Sequence, residues 1–221
     1  TYGTGTIKGT VRYDNNTGAD NVSVSFAKSG TFVDNTTTAD NGTYTQDNLS
    51  LGTYTISFTK SGFNDASMSA TLATDNQTVN ANVTLLANTC SAGTVSGKIT
   101  DAVTSANVDN ASINARSGLN VTSGSTTGTT TTATNGTYTL SSMSAGGYTV
   151  EVSKSGYITT YFNVNVCGDL TNQDASMSEL LNPGEMRIIL KWPKTTPETG
   201  KDLDSHLQIP DNANSTFHVY A

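Results

Sequence analysis

TADNGTYTQDNLSLGTYTISFTKSGF, at residues 38–63, returns without a gap as TATNGTYTLSSMSAGGYTVEVSKSGY at residues 132–157. Upstream, GTIKGTVRY (5–13) is matched by GTVSGKITD (93–101). The first pair lies 94 residues apart and the second 88, so the later copy carries about six extra residues between the two blocks. The Thr-rich stretch 123–132 is the simplest place for them. Repetition at such a period means two copies of one structural unit. Within each copy the apolar residues alternate with polar ones, the period of a half-buried strand. Ile7, Gly9 and Val11 share a face, as do Val22, Val24 and Phe26, and Tyr54, Ile56 and Phe58. The second copy repeats this with Val95, Gly97 and Ile99, then Tyr148, Val150 and Val152.

Turn signals such as Asn41-Gly42 and Asn135-Gly136 separate these runs. About seven short strands per copy, each with one apolar face, predict a two-sheet sandwich. The expected architecture is therefore all-β, with tandem seven-stranded Ig-like sandwiches at residues 1–87 and 88–181. The start of a third β unit follows at 182–221.

The run N-G-x-Y followed by G-x-Y-x-(I/V)-x-(F/V)-x-K-S-G-(F/Y) occurs as Asn41-Gly42, Gly52-Thr53-Tyr54 and Lys60-Ser61-Gly62-Phe63. It recurs as Asn135-Gly136, Gly146-Gly147-Tyr148 and Lys154-Ser155-Gly156-Tyr157. In this the chain resembles the carboxypeptidase-regulatory-like domain, a prealbumin-like sandwich related to the collagen-adhesin B-type repeats, over about residues 3–180. The resemblance implies a structural or spacer module of surface and secreted proteins that is not itself catalytic and sometimes binds carbohydrate.

Composition narrows the function classes. A net charge of −7 with only 13% charged residues argues against nucleic-acid binding, which needs a basic stripe. No apolar run approaches the roughly 20 residues of a membrane span. The chain begins at Thr1 with no charged n-region or apolar h-region and reads as processed or trimmed. Its two histidines, His206 and His218, accompany no nucleophile motif, so no enzyme is expected.

Cys90 and Cys167 fit one disulfide in an oxidising compartment, with both ends at one end of the second sandwich. Such a staple is worth roughly 2–4 kcal/mol. Some relatives of this fold carry a Lys–Asn or Lys–Asp isopeptide bond, which needs an inward Lys. Lys8 and Lys98 alternate with apolar neighbours and point outward, while Lys60 and Lys154 read as solvated turn residues. Eleven Asn-x-Ser/Thr sequons occur, and Asn15, Asn35 and Asn120 are the foremost glycosylation candidates. The run 125–132 reads either as an O-glycan carrier or as a polar loop leading into a strand.

The last segment differs. Residues 186–192 form an apolar, β-prone run with Ile188, Leu190 and Trp192 in one alternation. Beyond a Pro-containing loop, Asp202, Asp204 and His206 alternate along a second strand. Two carboxylates so placed are candidate Ca²⁺ ligands, though too few alone, and a polar strand face is the plainer reading; no other cofactor is expected. Three strands bury too little to stand alone. Either the natural chain continues beyond Ala221, or strands of a neighbouring subunit complete the unit and the protein self-associates. The leading expectation is an extracellular, cell-surface structural protein: an adhesin stalk or filament subunit whose partners are copies of itself or neighbouring modules. The alternatives are a carbohydrate-binding module, with Tyr157, Tyr161 and Trp192 as aromatic candidates for a glycan, and accessory domains of a larger secreted enzyme.

Overall fold

The structure, a computed structural model, describes residues 3–181 and the backbone of residues 206–210 and 216–220. Every regular element among them is a strand. The first copy supplies β1 (Thr4–Tyr13), β2 (Ser23–Lys28), β3 (Thr31–Thr37), β4 (Thr43–Ser50), β5 (Gly52–Thr59), β6 (Ala66–Leu72), β7 (Thr78–Asn80) and β8 (Val83–Leu85). The order β3-β2-β5-β6 forms one sheet, and β4-β1 forms the other, with β7 and β8 both lying parallel along β1. The expected seventh strand is thus present in two pieces, interrupted at Ala81-Asn82.

The second copy supplies β9 (Gly93–Asp101), β10 (Ser112–Ser117), β11 (Gly128–Thr131), β12 (Thr137–Met143), β13 (Gly146–Ser153), β14 (Thr160–Val166) and β15 (Ala175–Met177). Its sheets are β11-β10-β13-β14 and β12-β9-β15, the same arrangement. The counterpart of β7 survives as a single parallel bridge between Val95 and Leu170. Backbone contacts group Thr1–Glu185 into one compact unit and Met186–Ala221 into another. In the latter, β16 (His206–Pro210) and β17 (Thr216–Tyr220) form an antiparallel pair.

Alternation decides what each sheet buries. Val24 and Phe26 on β2 stand opposite Phe58 and Ile56 on β5, and with Tyr54 all are fully buried. On the second copy, Ile113 and Ala115 face Val152 and Val150 in the same register. Each of the buried valine, isoleucine and phenylalanine side chains contributes roughly 1.5–3 kcal/mol of transfer free energy. Two separate apolar clusters result, one per sandwich.

The glycine in the first strand of each copy is required by packing. Gly9 pairs with Tyr44, and Gly97 with Tyr138. A Cβ at Gly9 would lie 2.1 Å from the Ala81 carbonyl oxygen, and one at Gly97 2.2 Å from that of Gln173. Both carbonyls are claimed by the neighbouring ring: Tyr44 donates to Ala81 O at 2.6 Å and Tyr138 to Gln173 O at 2.7 Å. The tyrosine hydroxyl at the sandwich edge is thereby satisfied by backbone, and burial pushes the pKa of both phenols up. Buried Thr38 and Thr132 form another matched pair. Each hydroxyl accepts from the amide before β2 or β10 (Val22, Ala111) and donates to a loop carbonyl (Ala19, Val108).

The lysines of the K-S-G run are half-buried and each is bonded to an aspartate, where the sequence reading left them as solvated turn residues. Lys154 donates to Asp109 Oδ1 at 2.8 Å and to its carbonyl at 2.7 Å. Lys60 donates to the Asp20 carbonyl at 2.5 Å, with Oδ1 at 3.5 Å. Each clasp ties the loop after the fifth strand to the turn before the second. Asn21 and Asn110 in that turn adopt φ of 49° and 48°, a region that asparagine tolerates. Lys8 is exposed and Lys98 half-buried on the outward side.

Candidate functional site

The second copy's extra residues lie between β10 and β11, at 118–127, starting five residues before the stretch to which sequence assigned them. Residues 128–131 belong to strand β11, so the Thr-rich run is in part a strand. The loop opens with Leu119, which leaves its own sandwich and enters the core of the other: it is 7% exposed and packs in the first cluster. Its backbone extends the edge of β6. Leu119 N donates to Ser67 O at 2.8 Å, and Ser69 N donates to Leu119 O at 2.9 Å.

The second sandwich grips this loop from behind. Gly118 N donates to Gly147 O at 2.8 Å, and the Thr149 hydroxyl donates to Gly118 O at 2.8 Å. Val121 N donates back to that hydroxyl, while Asn120 and Asn163 exchange bonds at 3.0 and 2.8 Å. A Cβ at Gly147 would stand 3.0 Å from Leu119 Cδ2, so glycine there leaves the leucine its room. Arg116 holds the far part of the loop through Nε to Gly124 O at 3.2 Å. One apolar anchor and two edge hydrogen bonds therefore lock the sandwiches together, and they also shield part of the open edge of β6. The first copy has only a tight Ser29-Gly30 turn at the corresponding place.

A bridge joins Cys90 and Cys167, 77 residues apart in sequence. It connects the segment entering the second sandwich to the end of β14, beside the hydrogen bond from Gly168 N to Ser91 O. The staple therefore fixes the end of the second sandwich that carries Leu119.

A profile of the carboxypeptidase regulatory-like domain matches residues 6–86 and again 94–178. The chain belongs to this family. The two matched regulatory-like domains coincide with the two sandwiches. The chain is also similar to solved structures of a streptococcal ancillary pilin (16% identity, 81% of this chain and 63% of that one, TM-score 0.33) and of the Bacillus anthracis TIE protein (13%, 99% and 41%, 0.34). A third is the shaft pilin SpaA from Lactobacillus rhamnosus GG (15%, 81% and 99%, 0.33). The chain thus spans less than two thirds of the length of the first two. No protein of curated function matches it.

The two regulatory-like domains also differ on the outer face of one sheet. In the second, Arg116 Nη1 lies 3.1 Å from Glu151 Oε2, and Asn114 Nδ2 lies 3.2 Å from Oε1. Burial pushes the Glu151 carboxyl up, but hydrogen bonds from Asn114, Tyr161 and Arg116 outweigh it and hold the group below its ordinary value. The first domain has Ser25, Ala27, Ser57 and Ser67 at the positions of Asn114, Arg116, Glu151 and Tyr161. Tyr161 is exposed, whereas Tyr157 leans on the second core beneath Lys154.

Asn15, Asn35 and Asn120 are exposed. Asn15 accepts from the amide and hydroxyl of Thr17 in its own sequon, whereas Asn120 is engaged by Asn163. Among the described residues no group of three or more His, Cys, Asp or Glu is arranged to hold a metal ion. Asp202, Asp204, Ile188, Leu190 and Trp192 lie outside the described residues. No helix of the described residues is long and apolar enough to cross a membrane.

Proposed function

We propose that this chain is a non-catalytic structural segment of an extracellular, cell-surface protein: part of an adhesin stalk or a filament subunit. The observation that carries this reading is the Leu119 loop. It spends an insertion, a buried leucine and a web of hydrogen bonds on fixing one sandwich to the next, where a flexible linker would serve two independent binding modules. A spacer that has to hold its shape under tension needs such a joint. The disulfide at the same end and the exposed Asn15, Asn35 and Asn120 suit an oxidising location outside the cell, with glycan on the outward surface. Immunogold electron microscopy of intact cells of the native source, with antibody raised against residues 1–181, tests the reading. Label along surface projections is expected; label confined to the cell interior overturns it.

A second reading, carbohydrate recognition, is favoured by one observation. Only the second sandwich carries the Tyr161, Arg116, Glu151 and Asn114 cluster, an exposed ring beside ordered polar groups, the combination a sugar face uses. A polysaccharide pull-down with wild type and Tyr161→Ala tests it. Retention that the substitution abolishes supports recognition, and equal retention or none rejects it.

A further inference from the structure

Tension along a stalk runs through the backbone, so the order of strands decides what it pulls apart. In the first sandwich the chain enters through β1 and leaves through β8, which lies parallel beside it, residues 83–85 against 11–13. β7 is parallel to β1 as well, residues 78–80 against 6–8. A pull that draws β1 back past Thr4 and β8 forward past Leu85 slides parallel strands along each other and loads their hydrogen bonds together. Once they give way the whole stretch between Thr4 and Leu85 is free to extend, because both cysteines of the chain lie beyond it.

The second sandwich is connected differently. Cys90 stands ahead of β9 and Cys167 directly after β14, and the bridge joins them across a sequence separation of 77. Tension arriving from β8 therefore crosses from Cys90 to Cys167 through the two sulfur atoms and does not enter β9 to β14. The Leu119 loop lies within the bypassed stretch. Beyond Cys167 the path follows residues 168–177, and these are held to β9. Leu170 N donates to Thr94 O at 2.7 Å, Ser96 N to Leu170 O at 2.8 Å and Gln173 N to Ser96 O at 3.0 Å, and β15 then pairs in parallel with residues 99–101. Because Cys90 fixes β9 at its start, a forward pull on this segment is again a shear, and its failure releases only residues after Cys167. Cys167 is exposed and Cys90 half-buried, so a dissolved thiol can reach the bridge.

We propose that the Cys90–Cys167 bridge is a thiol-sensitive bypass for tension: while closed it keeps residues 91–166 from extending, and its reduction returns that length to the stalk. This deepens, and rests on, the reading of the chain as part of a stalk or filament. The opening step is thiol–disulfide exchange. The thiolate of a small thiol bonds to Cys167 Sγ, the bond between the two cysteine sulfurs breaks, and its electron pair leaves on Cys90 Sγ, which takes up a proton. A second thiolate then displaces Cys167 from the mixed disulfide. Two thiols are thereby oxidised to one disulfide while the bridge is reduced by two electrons. The first sandwich is extensible at all times, and the second only after reduction.

The test stretches the full oxidised chain in optical tweezers, tethered at its two termini, before and after addition of dithiothreitol. An extended chain spans about 3.3–3.6 Å per residue, so the bridged stretch holds back roughly 270 Å. Without thiol, the first sandwich is expected to open in a step of roughly 250 Å, and the total extension to stop roughly 270 Å short of that of the reduced chain. Thiol added at a held force that has already opened the first sandwich is expected to produce one further step of the withheld length, sooner at higher thiol concentration. Cys90→Ser combined with Cys167→Ser is expected to give up that length without thiol. The thiol measurement starts from protein folded with its bridge, so it decides the matter even where the serine pair fails to fold. An oxidised chain that already extends to its full length, or a thiol addition that produces no step at held force, overturns the proposal. Surface label in the microscopy above without a thiol-dependent step would remove the bypass and leave the stalk reading standing; the step without surface label would do the reverse.

Discussion

At the residue scale the duplication works as an internal control, because a feature repeated at both copies answers a constraint of the fold. Gly9 and Gly97 pass that test, each pressed against a carbonyl that a tyrosine also claims. Gly9→Ala or Gly97→Ala is expected to destabilise its own sandwich by about 1–3 kcal/mol through overpacking, read from the midpoint of urea unfolding. The Lys–Asp clasps pass it too. Hydrogen bonding and charge from Lys154 hold the Asp109 carboxyl below its ordinary range. Asp20 is likewise lowered, by Asn21, Tyr13 and Lys60. A depressed carboxylate favours the folded state above its unfolded pKa, and that contribution disappears as pH falls through the lower folded value. Both clasps are therefore intact at neutral pH and are lost only in acid. NMR titration should show Asp109 with a midpoint below that of a free aspartate, moving up in Lys154→Ala; an unchanged midpoint in that variant would refute the clasp.

Elements were legible to the extent that period two marks them. Tyr54, Ile56 and Phe58 declare β5 because polar residues stand between them, and Tyr148, Val150 and Val152 declare β13 in the same way. Leu119 has no such neighbours. A lone leucine between Gly118 and Asn120 in a polar loop carries no period, and its partners Ser67 and Ser69 are some fifty residues away. The one available signal was the insertion itself, since extra residues in one of two copies point to work the other copy does not do. The clasps were missed for a related reason: Lys60 and Asp20 are 40 residues apart, and Lys154 and Asp109 are 45 apart. Leu119→Ala is expected to cost roughly 2–5 kcal/mol of coupling between the sandwiches. In calorimetry one joint transition should separate into two. Reduction of the Cys90–Cys167 bridge should lower the second sandwich's unfolding free energy by roughly 2–4 kcal/mol, with a smaller effect on the first. Equal loss in both would show that the staple supports more than its own end.

For the whole molecule, the two tandem sandwiches are joined by more than the chain that runs between them. Separate cores do exist, but the inserted loop makes residue 119 a member of both sandwiches: covalently part of one and packed in the other. Two sandwiches joined this way transmit orientation across the joint. The central claim is that the two sandwiches move as one body because Leu119 holds them. Backbone ¹⁵N relaxation measures this directly, since it reports a rotational correlation time for each sandwich separately. The account predicts one common correlation time for residues 3–87 and 91–181 in the wild type, and two shorter, unequal times in Leu119→Asp. Unequal times already present in the wild type would contradict it.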